Sequence, residues 1–303
     1  MKVKIEKIEN LAVNIKMFTL IPLDSTVFPD FQPGAHIEVK LSIKVNGTVI
    51  TRHYSLVSSP RDLTHYKIAV LKDPMSRGGS SFLHESISID DEFEISEPRN
   101  EFNLSEDTGY SILIAGGIGI TPIFSFAQQL SASRRPFELH YAARSIEYMA
   151  FRNDIERQFA KSARFYEGTN RLSIEDLLRS VDAKNCHVYV CGPRSMIEDV
   201  KYFAKKLNWE EANVHFENFG ISAGQSNSVQ VELVRSKKII EVKNGKSILD
   251  AILESGIDAS YSCKRGQCGC CKTRLLEGNV EHRDVCLTDE EEKGICALAF
   301  LFH

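Results

Sequence analysis

A chain of 303 residues, 43% hydrophobic and 26% charged, has room for two or three ordinary globular domains. Its formal net charge of −4 supplies no basic field for nucleic acid. No apolar run approaches the roughly 18 residues of a membrane helix, and the opening "MKVKIEKIENLAVNIKMFTL" alternates like a strand rather than a signal peptide. The reading is a cytoplasmic monomer that binds neither nucleic acid nor membrane.

In chain order, residues 1–106 are strand-like. "VKIEKI", "NIKMFTLIPL", "AHIEVKLSI", "TRHYSLVSS", "YKIAVLK" and "DEFEISEP" alternate or run β-branched between Gly, Pro and Asp breaks, the pattern of an antiparallel barrel or sandwich. Over 107–220 the period changes. Strands "YSILIAGG", "FELHYAAR" and "HVYVCGP" alternate with helices "ITPIFSFAQQLSAS", "YMAFRNDIERQFAKS", "IEDLLRSV" and "RSMIEDVKYFAKKLN", which predicts a parallel α/β sheet. Residues 220–228, "GISAGQSNS", have the small polar composition of a linker. Residues 229–303 open with the hairpin "VQVELVRSKKIIEVKNG" and the helix "SILDAILESG", and continue into a loop crowded with cysteines.

That loop, "SCKRGQCGCCKT", places Cys263, Cys268 and Cys271 in C-x4-C-x2-C spacing. This is the plant-type ferredoxin arrangement, in which thiolates of one loop hold a [2Fe–2S] cluster and a distant cysteine completes it. Gly266 and Gly269 stand between the thiols, where the backbone must fold closely around sulfur. A zinc site would instead show cysteine pairs repeated at a distance. Cys270 falls outside the spacing and reads as a bystander. Two downstream cysteines, Cys286 and Cys296, are candidates for the fourth ligand.

Two other regions carry cofactor chemistry. In "RHYSL", Arg52 and Tyr54 share one face of a strand and Ser55 takes the other. An arginine fork suits a phosphate and a tyrosine ring suits a flavin. "RGGSSFLH" brings Gly78, Gly79 and Ser80 to the start of a helix, a place for an anion. In "ILIAGGIGITPIFSF" a buried strand ends at Gly116 and Gly117, and Thr121 is positioned to cap a helix beginning at Pro122. This is not the G-x-G-x-x-G dinucleotide fingerprint. "YVCGPRSM" repeats the device with Cys191, Gly192 and Pro193 at the carboxyl edge of the sheet, where open α/β sheets take ligands.

Together "RHYSL", "RGGS", "AGGIGITP", "CGP", "HFENFG", "CKRGQCGCC" and "LEGNVEHRD", in this order and across nearly the whole chain, resemble the phthalate dioxygenase reductase family. The resemblance implies an antiparallel β-barrel flavin domain, a parallel-sheet NAD domain and a β-grasp ferredoxin domain. Arg52, Tyr54, Ser55, Gly78, Gly79 and Ser80 would hold FMN. Gly116, Gly117, Thr121, Cys191, Gly192 and Pro193 would lie by flavin and nicotinamide, and Phe219 would cover the flavin ring. The ferredoxin module favours Cys296 as the fourth cluster ligand. Electrons would run from NADH through FMN and the cluster to a Rieske-type oxygenase, with no catalytic acid or base nominated. Two other readings stay open: a stand-alone flavin/iron–sulfur NAD(P)H oxidoreductase, and an electron-transfer module whose NAD site has decayed.

Overall fold

The computed structural model describes the chain except for residues 46–47, 75–77, 108, 220–227, 244–245, 262–265, 267, 281, 283, 285, 289 and 299–303. The described chain divides into two units, Met1–Glu217 and Asn218–His303.

In the first unit, strands β1 (Lys2–Ala12), β2 (Ile15–Pro22), β3 (His36–Val45), β4 (Thr48–Ser55) and β5 (Tyr66–Leu71) are followed by helix α1 (Gly79–Glu85) and strand β6 (Glu92–Ile95). Their antiparallel order is β4-β3-β6-β1-β2-β5, and a bridge between Leu56 and Ile68 joins the two ends into a barrel. Alternation decides which side chains go inside: Val3 and Ile5 of β1, Phe18 and Leu20 of β2, and Ile37 and Val39 of β3 are all fully buried. Phe28 stacks on Tyr66 at 3.9 Å and the Tyr66 hydroxyl donates to the Pro29 carbonyl, which satisfies the one polar atom of that buried ring.

The same unit continues with β7 (Tyr110–Gly116), α2 (Ile120–Ala132), β8 (Phe137–Ala142), α3 (Arg152–Phe159), β9 (Ala163–Tyr166), α4 (Ile174–Arg179), β10 (Cys186–Cys191), α5 (Arg194–Lys206) and β11 (Val214–Glu217). All five strands are parallel, in the order β11-β10-β7-β8-β9. Every residue of β10 is buried, as expected for a strand with both faces covered. The four-residue edge strands β9 and β11 were not expected from the sequence.

Segment 99–107 stitches barrel to sheet. Phe102 packs on Phe126 of α2 at 4.9 Å and on Tyr189 of β10 at 6.1 Å. The Ser105 amide donates to the Tyr189 hydroxyl (2.9 Å) and Arg135 donates to the Ser105 carbonyl (2.8 Å). At the other end, the Val13 amide in the β1–β2 turn donates to the Glu147 carbonyl beyond β8 (2.8 Å).

The second unit contains the hairpin β12 (Val229–Leu233) and β13 (Lys238–Val242), helix α6 (Ile248–Glu254), and the pair β14 (Lys272–Arg274) and β15 (Ile295–Ala297). Ser247 caps α6: its hydroxyl accepts from the Asp250 amide (3.0 Å) and donates to the Asp250 carboxylate (2.8 Å). Ile240, Val242, Ile248, Leu249 and Ile252 form a core shared with Cys271 and Cys296. Directly after the cysteine loop, β14 pairs with β15 across residues 275–294.

Candidate functional site

On β4, Arg52 and Tyr54 stand opposite Val39 and Ile37, on the core-facing side, and Ser55 stands opposite His36 on the other. Tyr54 packs against the barrel core. Burial raises its phenol, with nearby Arg52 pulling the other way, so the ring stays neutral at physiological pH. Gly78, at φ +92°, opens α1. A Cβ on Gly79 would sit 2.7 Å from Arg52 Nε and 2.8 Å from its Cγ, so a larger residue would push the arginine side chain out of its present place. Ser80 Oγ accepts from the Asp73 amide at 3.1 Å. The two motifs thus meet at one place. On the other face of β4 the Ser55 hydroxyl is buried without a hydrogen-bond partner among the described residues, a condition that a bound polar ligand relieves.

The second constellation forms where β7 and β10 end. Gly117–Gly119 make a 3-10 turn that runs straight into α2 at Ile120. Thr121 therefore does not cap the helix, contrary to expectation. Its hydroxyl donates back to the Ile118 carbonyl at 3.1 Å and no side chain caps α2, because the glycine turn starts the helix before Pro122. Across from it, Cys191 ends β10 and Pro193 precedes α5. A Cβ on Gly116 would sit 2.5 Å from Pro193 Cδ and 3.1 Å from Gly192 Cα, and one on Gly192 would sit 3.0 Å from the Gly116 backbone nitrogen. The two turns pack backbone on backbone at the carboxyl edge of the sheet. Cys191 is fully buried. Its parallel partner on β11 is Glu217, which is also buried, at 1% exposure. That carboxylate was not singled out from the sequence, although an acid at the end of the short run "VHFE" was the available signal. Phe219 is half-buried and lies two residues past β11, at the start of the second unit.

In the second unit Cys263 lies outside the described residues. Cys268 and Cys270 are exposed, Cys271 and Cys296 buried, and Cys286 intermediate. Gly266 and Gly269 take the left-handed φ values +66° and +72°, as the loop reading requires. Cys271 immediately precedes β14, and Cys296 sits on β15 opposite Thr273. Burial pushes the Cys296 thiol up to about 11, helped by neighbouring Cys271, and pushes Cys286 up to about 12, helped by Asp284. Metal binding at such thiols must release protons. Among the described residues no three Cys, His, Asp or Glu side chains already converge as a metal site.

The oxidoreductase NAD-binding domain family matches residues 113–202, and the 2Fe-2S iron-sulfur cluster binding domain family matches residues 231–299. The vanillate O-demethylase oxidoreductase of Acinetobacter baylyi is 38% identical over 297 residues, 96% of this chain and 92% of the relative. The carnitine monooxygenase reductase subunit of Acinetobacter pittii is 38% identical over 286 residues, 94% of this chain and 92% of the relative. A solved phthalate dioxygenase reductase, described as a modular structure for electron transfer from pyridine nucleotides to [2Fe–2S], superposes with a TM-score of 0.82 at 32% identity, covering 100% of this chain and 94% of that one.

Proposed function

On the premise that this chain belongs to the phthalate dioxygenase reductase family, we propose that it is the NADH-dependent reductase component of a Rieske-type oxygenase system, a monomer working in the cytoplasm. The observation that carries this reading is the presence, in one chain, of the Arg52–Gly79 constellation, the paired glycine turns and the cysteine loop. A flavin accepts two electrons from a nicotinamide and passes them on singly, which suits a cluster that carries one at a time.

The residues fit that group. Arg52 would bind an FMN phosphate, Gly78 and Gly79 would let the α1 backbone approach it, and Ser80 would add a hydroxyl. Tyr54 would face the ring as a neutral phenol, and the buried Ser55 hydroxyl would find its missing partner in the flavin's polar edge. Gly116, Gly117 and Thr121 would lie near flavin and nicotinamide, Cys191, Gly192 and Pro193 would take the nicotinamide side, and Phe219 would cover the flavin ring. Cys263, Cys268, Cys271 and Cys296 would carry the cluster. Arg144, exposed after β8, is the one cation of "ARSIEY", and Glu147 follows it. A 2′-phosphate needs positive charge that the acid opposes, which favours NADH. The two relatives above share one identity value and differ in the substrate their names carry, so identity alone does not choose the oxygenase.

The test is anaerobic mixing of the purified protein with NADH or NADPH, followed by a Rieske oxygenase as acceptor. Bleaching of flavin and then cluster, faster with NADH, and reduction of the added oxygenase are expected. Substrate turnover with no added protein would favour the stand-alone enzyme, and no bleaching would favour the decayed module. Arg52→Ala should weaken flavin retention about 10- to 100-fold, since hydrogen bonds to charged groups contribute roughly 1.5–3 kcal/mol. Unchanged flavin content after gel filtration, or an adenine-containing flavin on acid release, counts against the FMN assignment.

A further inference from the structure

Helix α1 carries Gly79 to Arg52, and at seven residues it is too short to be stable by itself. Its position therefore comes from what it touches. Leu83 is buried in the barrel core and Phe82 packs against that core. Apolar contact of this kind is non-directional, so it fixes how deep the helix sits rather than how it is turned. The directional contacts at the C-terminal end converge on His84. Its ring nitrogen Nε2 lies 2.8 Å from the Val70 carbonyl of β5, and because a carbonyl only accepts, Nε2 carries the proton and donates. The ring meets that of the fully buried Phe18 edge-on at 6.5 Å. The His84 carbonyl, at the open end of the helix, accepts from Lys16 Nζ of β2 at 2.8 Å. Beside it, Lys72 pairs with Glu85 at 2.8 Å.

We propose that His84 is a positioning residue for flavin binding: by holding α1 on β5 it keeps Gly79 against Arg52 and so fixes the phosphate end of the site. This rests on the reading of Arg52 as the residue that binds the FMN phosphate. His84 lies five positions beyond Gly79 and acts through the helix. Burial lowers its pKa below the ordinary value of about 6.5, with Lys16 and Lys72 adding to the effect and the Val70 carbonyl and Glu85 opposing it. The folded protein thus favours the neutral ring. Its contribution is complete above the ordinary value and weakens as acid charges the imidazole.

The experiment strips the full chain of flavin and titrates it with FMN or riboflavin, reading the quenching of flavin fluorescence from pH 8 to pH 5.5. Riboflavin has the same ring and no phosphate, so it separates positioning of the phosphate end from general support of the barrel. At pH 8, His84→Ala is expected to weaken FMN about 3- to 10-fold, the usual effect of one lost hydrogen bond, and to leave riboflavin within about 2-fold. His84→Gln, whose amide can donate to the same carbonyl, should keep wild-type FMN affinity at pH 8. At pH 5.5 the wild type should bind FMN about 2- to 5-fold more weakly than His84→Gln, because only the imidazole gains a charge. The FMN phosphate itself titrates near pH 6, but it does so in both proteins and leaves their ratio unchanged. Should His84→Ala fail to fold, the pH comparison with His84→Gln still decides. The proposal is overturned if His84→Ala weakens riboflavin as much as FMN, or if wild type and His84→Gln keep a constant affinity ratio across the pH range. An Arg52→Ala variant that prefers FMN over riboflavin as strongly as the wild type would refute the parent phosphate reading instead.

Discussion

Replacing Cys268 and Cys271 together by alanine is expected to abolish electron export while leaving reduction of the flavin by NADH at the wild-type rate. With both gone, Cys263, Cys270, Cys286 and Cys296 remain of the thiols in this region, but two of the three loop ligands in C-x4-C-x2-C spacing are lost whichever downstream cysteine serves. The barrel and parallel sheet belong to Met1–Glu217, whereas both altered cysteines belong to the other unit, so the first half of the path has no reason to change. Cys271 is also part of the second unit's core, and metal binding contributes directly to the stability of small metal domains. The variant should therefore show an earlier unfolding transition for that unit alone. Stopped-flow bleaching at the flavin band and reduction of an acceptor protein separate the two halves. Export at the wild-type rate would sink the cluster assignment, and slowed bleaching would show that the halves are coupled.

Gly119→Ala should damage the nucleotide edge far more than Gly117→Ala, although Gly119 has the more ordinary backbone. At Gly119 φ is −59°, which any residue adopts, but a Cβ would lie 2.2 Å from the Cys191 carbonyl oxygen and 2.9 Å from the Gly192 nitrogen. These are backbone atoms of the neighbouring strand end, with no flexible side chain to yield, so the overpacking cost falls at the upper end of its range, about 3 kcal/mol. Relief requires Cys191–Pro193 to move, and a displacement of about 1 Å in a reacting geometry can slow it roughly a hundred-fold. At Gly117 nothing lies within 4 Å of the added carbon. The cost there is that of holding alanine at φ +55°, roughly 1–2 kcal/mol. Thermal unfolding and the rate of flavin bleaching by NADH measure both effects. Equal behaviour of the two variants would mean that the paired turns do not position the nucleotide.

Much of this protein is legible from residue order alone, because the signals are local. The alternation of "VKIEKI" or "AHIEVKLSI" depends only on neighbours along one strand, and β1 and β3 form where it predicts. The apolar runs of β7 and β10 announce strands buried on both faces, and the cysteine spacing announces its chemistry before any fold is known. The tertiary structure alone decided what depends on a partner. "ARFY" and "VHFE" become β9 and β11 only because the sheet presents open edges for four-residue segments to join. Thr121 has the pattern of a cap, but the preceding glycines start the helix early and turn its hydroxyl back to Ile118. Phe102 sits in a stretch that reads as a polar boundary, yet it is buried between α2 and β10 and joins barrel to sheet. Gly79 reads in the sequence as part of a helix start suited to an anion, and its close approach to Arg52, from strand β4, which fills the space a Cβ would take, appears only in the tertiary structure. Periodicity is written in consecutive residues, whereas close approach is a property of two distant ones, set by how sheet and helix pack.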